Sequence, residues 1–110
     1  MVVTINVAAP HEMPPAGAPV IVEAQDTSLA DAPARVVARA RAVVRRPEDG
    51  VVATVALSLE ASREDWTIWV HIDVDDDGRI SVGDFITMES FPLSAAVGGQ
   101  LTVRVRRVAS

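Results

Sequence analysis

Arg35-Val36-Val37-Ala38-Arg39-Ala40-Arg41-Ala42-Val43-Val44 is the stretch whose reading decides the fold class. Its alanines and arginines are good helix formers, so an Ala-rich helix is the competing assignment. Period separates the two. Val36, Ala38, Ala40, Ala42 and Val44 alternate with Arg35, Val37, Arg39, Arg41 and Val43, whereas an amphipathic helix repeats its apolar residues three and four apart. The alternation favours a strand. Downstream, Pro47-Glu48-Asp49-Gly50 is a strong turn signal, and residues 51–59 alternate again through Val51, Val55, Leu57 and Leu59. These two strands are expected to pair as a hairpin.

The same pattern extends in both directions. Residues 2–8 place Val3, Ile5 and Val7 on one face of a first strand, and residues 20–25 form a second. Between them Pro10, Pro14, Pro15, Gly17 and Pro19 forbid both helix and ladder, which predicts a surface crossing. Asp26-Thr27-Ser28 can cap a turn through short side-chain oxygens. After a polar loop at residues 60–65, residues 66–72 (WTIWVHI) make a fifth strand and residues 85–93 a sixth. Gly98-Gly99 breaks the chain before Leu101, Val103 and Val105 alternate with Thr102, Arg104 and Arg106 in a seventh. The expected fold is a single all-β domain, a seven-stranded antiparallel β-sandwich of immunoglobulin/transthyretin-like type.

Composition narrows the chemistry. The chain has 110 residues, about half of them apolar, with no Tyr, two Trp and two Phe, so the core must be mainly Val, Ile, Leu and Ala. With no Cys, disulfides, thiolate metal sites and cysteine nucleophiles are excluded. A net charge of -5 argues against general nucleic-acid binding, which needs a basic surface. No apolar run approaches a membrane span. The first residues lack the charged and apolar regions of a signal peptide, so the chain as written is expected in the cytoplasm, and in the envelope if a leader precedes it.

The chemically specific feature is Asp73-Val74-Asp75-Asp76-Asp77-Gly78-Arg79-Ile80-Ser81-Val82-Gly83-Asp84. Aligned with a calcium loop, Asp73, Asp75 and Asp77 take ligand positions one, three and five, and Gly78 the sharp turn at six. Arg79 would offer its backbone carbonyl, Ser81 stands at position nine, and Asp84 closes the loop where the motif has Glu. Asp is shorter and reaches an ion with one oxygen or through water, which weakens the site. Strand-like flanks point to a structural calcium ion rather than a sensor switch. Without an ion, the same residues make a solvated hairpin tip.

Other candidates are weaker. Arg39 and Arg41 share one strand face and Arg104 and Arg106 another. On adjacent strands they would form a basic patch for a carboxylate, a phosphate headgroup or an acidic partner; otherwise they pair on a solvated face with Glu23, Glu60 or Glu64. Trp66 and Trp69 point to opposite faces, so one is expected in the core and the other at a partner surface. His71 shares the face of Trp69 near Asp73, where it could support the loop. His11-Glu12 begins a zinc motif that never completes. Asp26, Ser28 and Asp31 with two distant histidines contain triad residue types but no nucleophile turn, so catalytic residues are not expected.

The proline-and-alanine lead-in from Pro14, the strand beginning at Val20, the turn Asp26-Thr27-Ser28 and the step Ala30-Asp31-Ala32-Pro33 resemble the YbaY family of bacterial lipoproteins. Trp69-Val70-His71-Ile72, Asp77-Gly78-Arg79-Ile80 and Ser90-Phe91-Pro92-Leu93 resemble that family's closing hairpin. The family is grouped with the lipoprotein chaperones of type III secretion, and the resemblance implies a small non-enzymatic β-sandwich serving as an accessory or assembly module. Two departures are plain: the lipidated Cys is absent, and the family's short Asp-Gly turn is enlarged into the acidic loop.

The expected function is therefore a binding or assembly module with a calcium-binding strand-loop-strand site. The alternative is a chaperone-like accessory protein for an anionic or protein partner, with the loop only a turn. A protein partner is expected in either case, with the chain itself a monomer or an edge-paired homodimer.

Overall fold

The computed structural model describes residues 2–26, 34–45, 50–59 and 66–109. Among these residues eight strands form: β1 (Val2–Ala8), β2 (Pro19–Asp26), β3 (Arg35–Val43), β4 (Val51–Ser58), β5 (Trp66–Ile72), β6 (Phe85–Ile86), β7 (Gln100–Arg104) and β8 (Arg106–Arg107). They divide into a three-stranded sheet, β4-β1-β7, and a five-stranded sheet, β3-β2-β5-β6-β8. Period-two alternation builds the sandwich. Val3, Ile5, Val7, Leu101 and Val103 from one sheet meet Val20, Val22, Ala24, Ile68, Val70 and Ile72 from the other in a single buried cluster.

Several expectations need correction. The sandwich is not purely antiparallel, because β7 runs parallel to β1. The strand expected over residues 85–93 is only Phe85–Ile86; Pro92, which has no N–H for a ladder, precedes a 3-10 turn at Leu93–Ala95. The expected seventh strand is divided in two. Arg104 pairs with Ala8 in one sheet and Arg106 with Ile86 in the other, while Val105 turns the corner, buried, with its N–H donated to Ala8 O. Alternation continues through that corner, so from the sequence it looks like one strand.

Nor do β3 and β4 form the expected hairpin, since they lie in different sheets. Buried Val44 donates its N–H to Ala18 O in one direction, and Arg45 donates to Val52 O in the other. The chain thus bends from sheet to sheet here, as it does at Val105, and two sides of the sandwich are closed by such corners. Bulges adjust the faces. Opposite Ala24 and Gln25 the register of β3 skips Val37, which packs on the core while Val36 is left 40% exposed. Opposite Val7 and Ala8 the register of β4 skips Val52, so neighbouring Val52 and Ala53 are both buried.

Thr27, Ser28, Asp31 and the turn residues Pro47, Glu48 and Asp49 lie outside the described residues, as do Glu60 and Glu64.

Candidate functional site

The acidic loop connects β5 to β6 and is fixed at both ends. Asp73 donates its backbone N–H to Pro19 O, Gly83 donates to Val108 O, and Val108 donates to Asp84 O. Within it the carboxylates play two different parts. Asp73 and Asp84, only 2% and 1% exposed, form its base. Asp73 accepts the backbone N–H groups of Asp77 (3.4 Å) and Gly78 (2.8 Å), which curls the chain back over its own start. Two left-handed residues make that turn, Gly78 at φ 75° and Asp76 at φ 52°, and the second is a conformation that Asp tolerates better than most side chains.

Asp84 is the most connected group of the loop. Its Oδ1 accepts Val74 N–H at 2.9 Å. Its Oδ2 accepts Ser81 N–H at 3.1 Å and His71 Nε2–H at 2.8 Å, within reach of the Ser81 hydroxyl at 3.4 Å. Burial pushes the Asp84 carboxyl up, but the hydrogen bond from His71, the backbone donors and the histidine's charge together outweigh it and hold the group below the usual carboxylate range.

At the tip, Asp75, Asp76 and Asp77 are exposed. Ser81 donates its hydroxyl to Asp75 at 2.9 Å, and Arg79 donates its backbone N–H to Asp77. The Ser81 hydroxyl pulls the Asp75 carboxyl down, but desolvation and the neighbouring Asp73 and Asp77 push it up, leaving it raised. Five of the six calcium-ligand candidates thus gather around one hydrogen-bonded loop. Asp73, Asp75, Asp77 and Asp84 each offer an oxygen, all within 4.8 Å of one another, and Ser81 bridges Asp75 and Asp84. The sixth, Arg79, was expected to contribute its backbone carbonyl; its residue also lines a neighbouring groove.

That groove lies on the outer face of the five-stranded sheet and measures about 620 Å³. Ile21 and Glu23 from β2, Arg39 and Arg41 from β3, and Trp69 and His71 from β5 line it from the sheet, and Asp73, Asp76, Arg79 and Ile80 line it from the acidic loop, so carboxylates and guanidinium groups are both present. The register Glu23↔Arg39 and Glu23↔Trp69 produces this grouping. Arg39 closes on the buried Glu23 at 2.7 Å. Trp66 is buried in the core, whereas Trp69 is half-buried on the outer face, tilted against the His71 ring at 5.8 Å. The opposite placement of the two tryptophans was legible from their spacing.

The four-arginine patch does not form. Arg39 and Arg41 sit on β3, at one edge of the five-stranded sheet, while Arg106 on β8 is at its far edge and Arg104 belongs to the other sheet. Arg104 is engaged by Glu89 at 2.9 Å and lies over the Phe91 ring. The grouping of Arg41 with Arg79 and Trp69, and the His71–Asp84 pair, were missed by sequence reasoning. Alternation put His71 beside Trp69, but its partner comes from the far end of the loop.

Neither a family model nor a curated protein matches the chain. Among solved structures, the alternative pilotin from the type II secretion system of Vibrio cholerae is similar at 24% identity, covering 100% of this chain and 98% of that one, with a TM-score of 0.74. The likeness extends over both chains almost end to end, and the two proteins share a fold.

Proposed function

We propose that this chain is a non-enzymatic, chaperone-like accessory module that binds a protein partner in a secretion-linked role. The observation that carries the reading is the end-to-end fold shared with a type II secretion pilotin. Side-chain order argues against hydrolysis. In a catalytic triad the imidazole stands between hydroxyl and carboxylate, whereas here the Asp84 carboxylate stands between His71 and Ser81, so the imidazole does not address the hydroxyl. Among the described residues no helix is long and apolar enough to cross a membrane. The test is deletion of the gene in its source organism, with quantitative comparison of the exported proteins. Loss of a defined set from the medium, restored by the wild-type gene, is the expected result; an unchanged set refutes the reading.

A second reading is favoured by the convergence of carboxylate oxygens in the acidic loop: calcium held by Asp73, Asp75, Asp77 and Ser81 and closed by Asp84, as a structural ion. Asp84 already accepts hydrogen bonds on both oxygens, which agrees with a weak site. Calcium at about a hundred times its dissociation constant should stabilise the fold by about 2.7 kcal/mol. A melting temperature that calcium leaves unmoved removes this reading without touching the first.

A further inference from the structure

One edge of the sandwich lacks the devices that keep sheets from pairing with one another. The edge strands are β4 and β7 in the smaller sheet and β3 and β8 in the larger. β3 bears Arg35, Arg39 and Arg41, β8 is Arg106–Arg107, and β7 is short and ends in Arg104, so each carries charge. β4, VVATVALS, has 8 residues with no charge, no Pro and no Gly. Its free rim follows from the hydrogen bonds of its neighbour. Thr4 donates its N–H to Gly99 O and Ala8 O accepts the N–H of Val105, so these residues address the β7 side, and the alternate residues Val3, Ile5 and Val7 address β4. Their partners Leu57, Val55 and Ala53 face back to β1, which leaves the N–H and C=O groups of Thr54, Ala56 and Ser58 pointing off the sheet. Thr54, Ala56 and Ser58 are exposed, whereas Val55 and Leu57 between them are buried. Among the described residues this edge is engaged only at its start, where Val52 O accepts the N–H of Arg45.

We infer that this edge pairs with the same edge of a second copy of the chain, joining the two β4-β1-β7 sheets across a two-fold axis at Ala56. Antiparallel pairing about that residue sets Ala56 against its own copy and Thr54 against Ser58, so the outward N–H and C=O groups of all three find partners. Alanine meets alanine at the axis without a clash. Thr54 already donates its hydroxyl to Asn6 at 3.2 Å, so its oxygen is left to accept from the Ser58 hydroxyl across the interface. Charge selects a copy of this chain as the occupant. Two molecules of net charge -5 repel, but all 15 acidic residues lie outside β1, β4 and β7, so the smaller sheet is a surface through which they can meet without opposing carboxylates. Pairing β3 with itself would instead set Arg39 and Arg41 against the same residues of the copy. An edge-to-edge contact is smaller than a standard interface, and the expected dissociation constant is on the order of 10 μM. The inference is independent of the accessory-module reading and holds or fails whatever that partner is.

The experiment is analytical ultracentrifugation of the full chain from about 1 μM to about 1 mM. A rise from monomer to dimer across that range is expected, with no larger species, because a two-fold pairing closes on itself. Ala56→Lys places like charges at the axis and should weaken the dimer at least about tenfold. Ala56 is exposed in the single chain, so this variant should melt like the wild type. The chain has no cysteine, so a single introduced thiol reports contact between copies without background. Facing Cα atoms in such a pair stand about 5.5 Å apart, within the reach of a disulfide. Ala56→Cys should therefore give a covalent dimer under mild oxidation, while Thr102→Cys, exposed on β7, should remain monomeric. The inference is overturned by a monomer throughout the range, which would leave the edge to a foreign strand or to none. It is equally overturned by species that grow beyond the dimer, by a dimer that Ala56→Lys leaves intact, or by cross-linking through Thr102→Cys in place of Ala56→Cys. If Ala56→Lys does not fold, the two cysteine variants decide the matter.

Discussion

The base and the tip of the acidic loop contain the same residue type in opposite circumstances. At the base, Asp73 and Asp84 are almost completely buried and each accepts backbone N–H groups, so their charge is used to hold the chain in a turn. At the tip, Asp75 and Asp77 each accept one local hydrogen bond and otherwise face solvent. Five aspartates in one loop are therefore not one feature. Burial makes two of them part of the loop's own framework, whereas the exposed ones meet solvent and salt directly.

Substitution should expose that division. Asp84→Ala orphans buried His71 and the N–H groups of Val74 and Ser81 together, and the expected loss is roughly 3 kcal/mol. In a chain of this size that corresponds to a fall of roughly 15 °C in melting temperature, read by calorimetry. Asp73→Asn keeps the volume but weakens the acceptor for Asp77 and Gly78; a loss of about 1 kcal/mol is expected, with no change in the denaturant m-value.

The acid limb sharpens the comparison further. Because the folded-state carboxyl of Asp84 is held below its unfolded value, its contribution is fully present above the ordinary carboxylate pKa and disappears as pH falls through the lowered one. Asp84→Asn should therefore be less stable than wild type at neutral pH, with the gap narrowing as the medium is acidified below the ordinary carboxylate range. A gap of constant size would show that the folded-state carboxyl of Asp84 is not held below its unfolded value. The smallest effect belongs to the tip. The Asp75 carboxyl is raised in the folded state, so its ionised form works against folding above the unfolded value, and Asp75→Asn should leave the melting temperature unchanged or slightly higher in chelator. The same variant should abolish any calcium-induced rise; a rise that persists would move the ion away from this loop.

Much of the fold was legible. Alternation identified β1, β3, β4 and β7 and correctly chose strand over helix for Arg35–Val43, and β2 and β5 were also placed as strands. Where it failed, the cause was local geometry that leaves the alternation intact or shifts it by one residue. Val105 remains buried while its neighbours change sheets, so the corner is invisible to period. The skipped Val37 reverses the face of Val36, which no propensity records. A strong turn signal between β3 and β4 suggested a hairpin because sequential antiparallel strands usually pair, yet the bend at Val44 and Arg45 directs them to separate sheets.

The candidate site divides in the same manner. The calcium-like spacing, the opposed tryptophans and the proximity of His71 to the loop could be read from neighbouring positions, because they depend only on the two-residue period of a strand and on side chains a few residues apart. Sequence alone thus determined a β-rich domain with a core of small aliphatic residues, an acidic connection after its fifth strand, and one tryptophan turned outward. Only the tertiary structure decided that Glu23 takes Arg39, that Arg41, Arg79 and Trp69 line one groove, and that Asp84 closes on His71. Those pairings depend on register between strands distant in the chain. Register is settled by the packing of all the strands at once, and no single segment contains it.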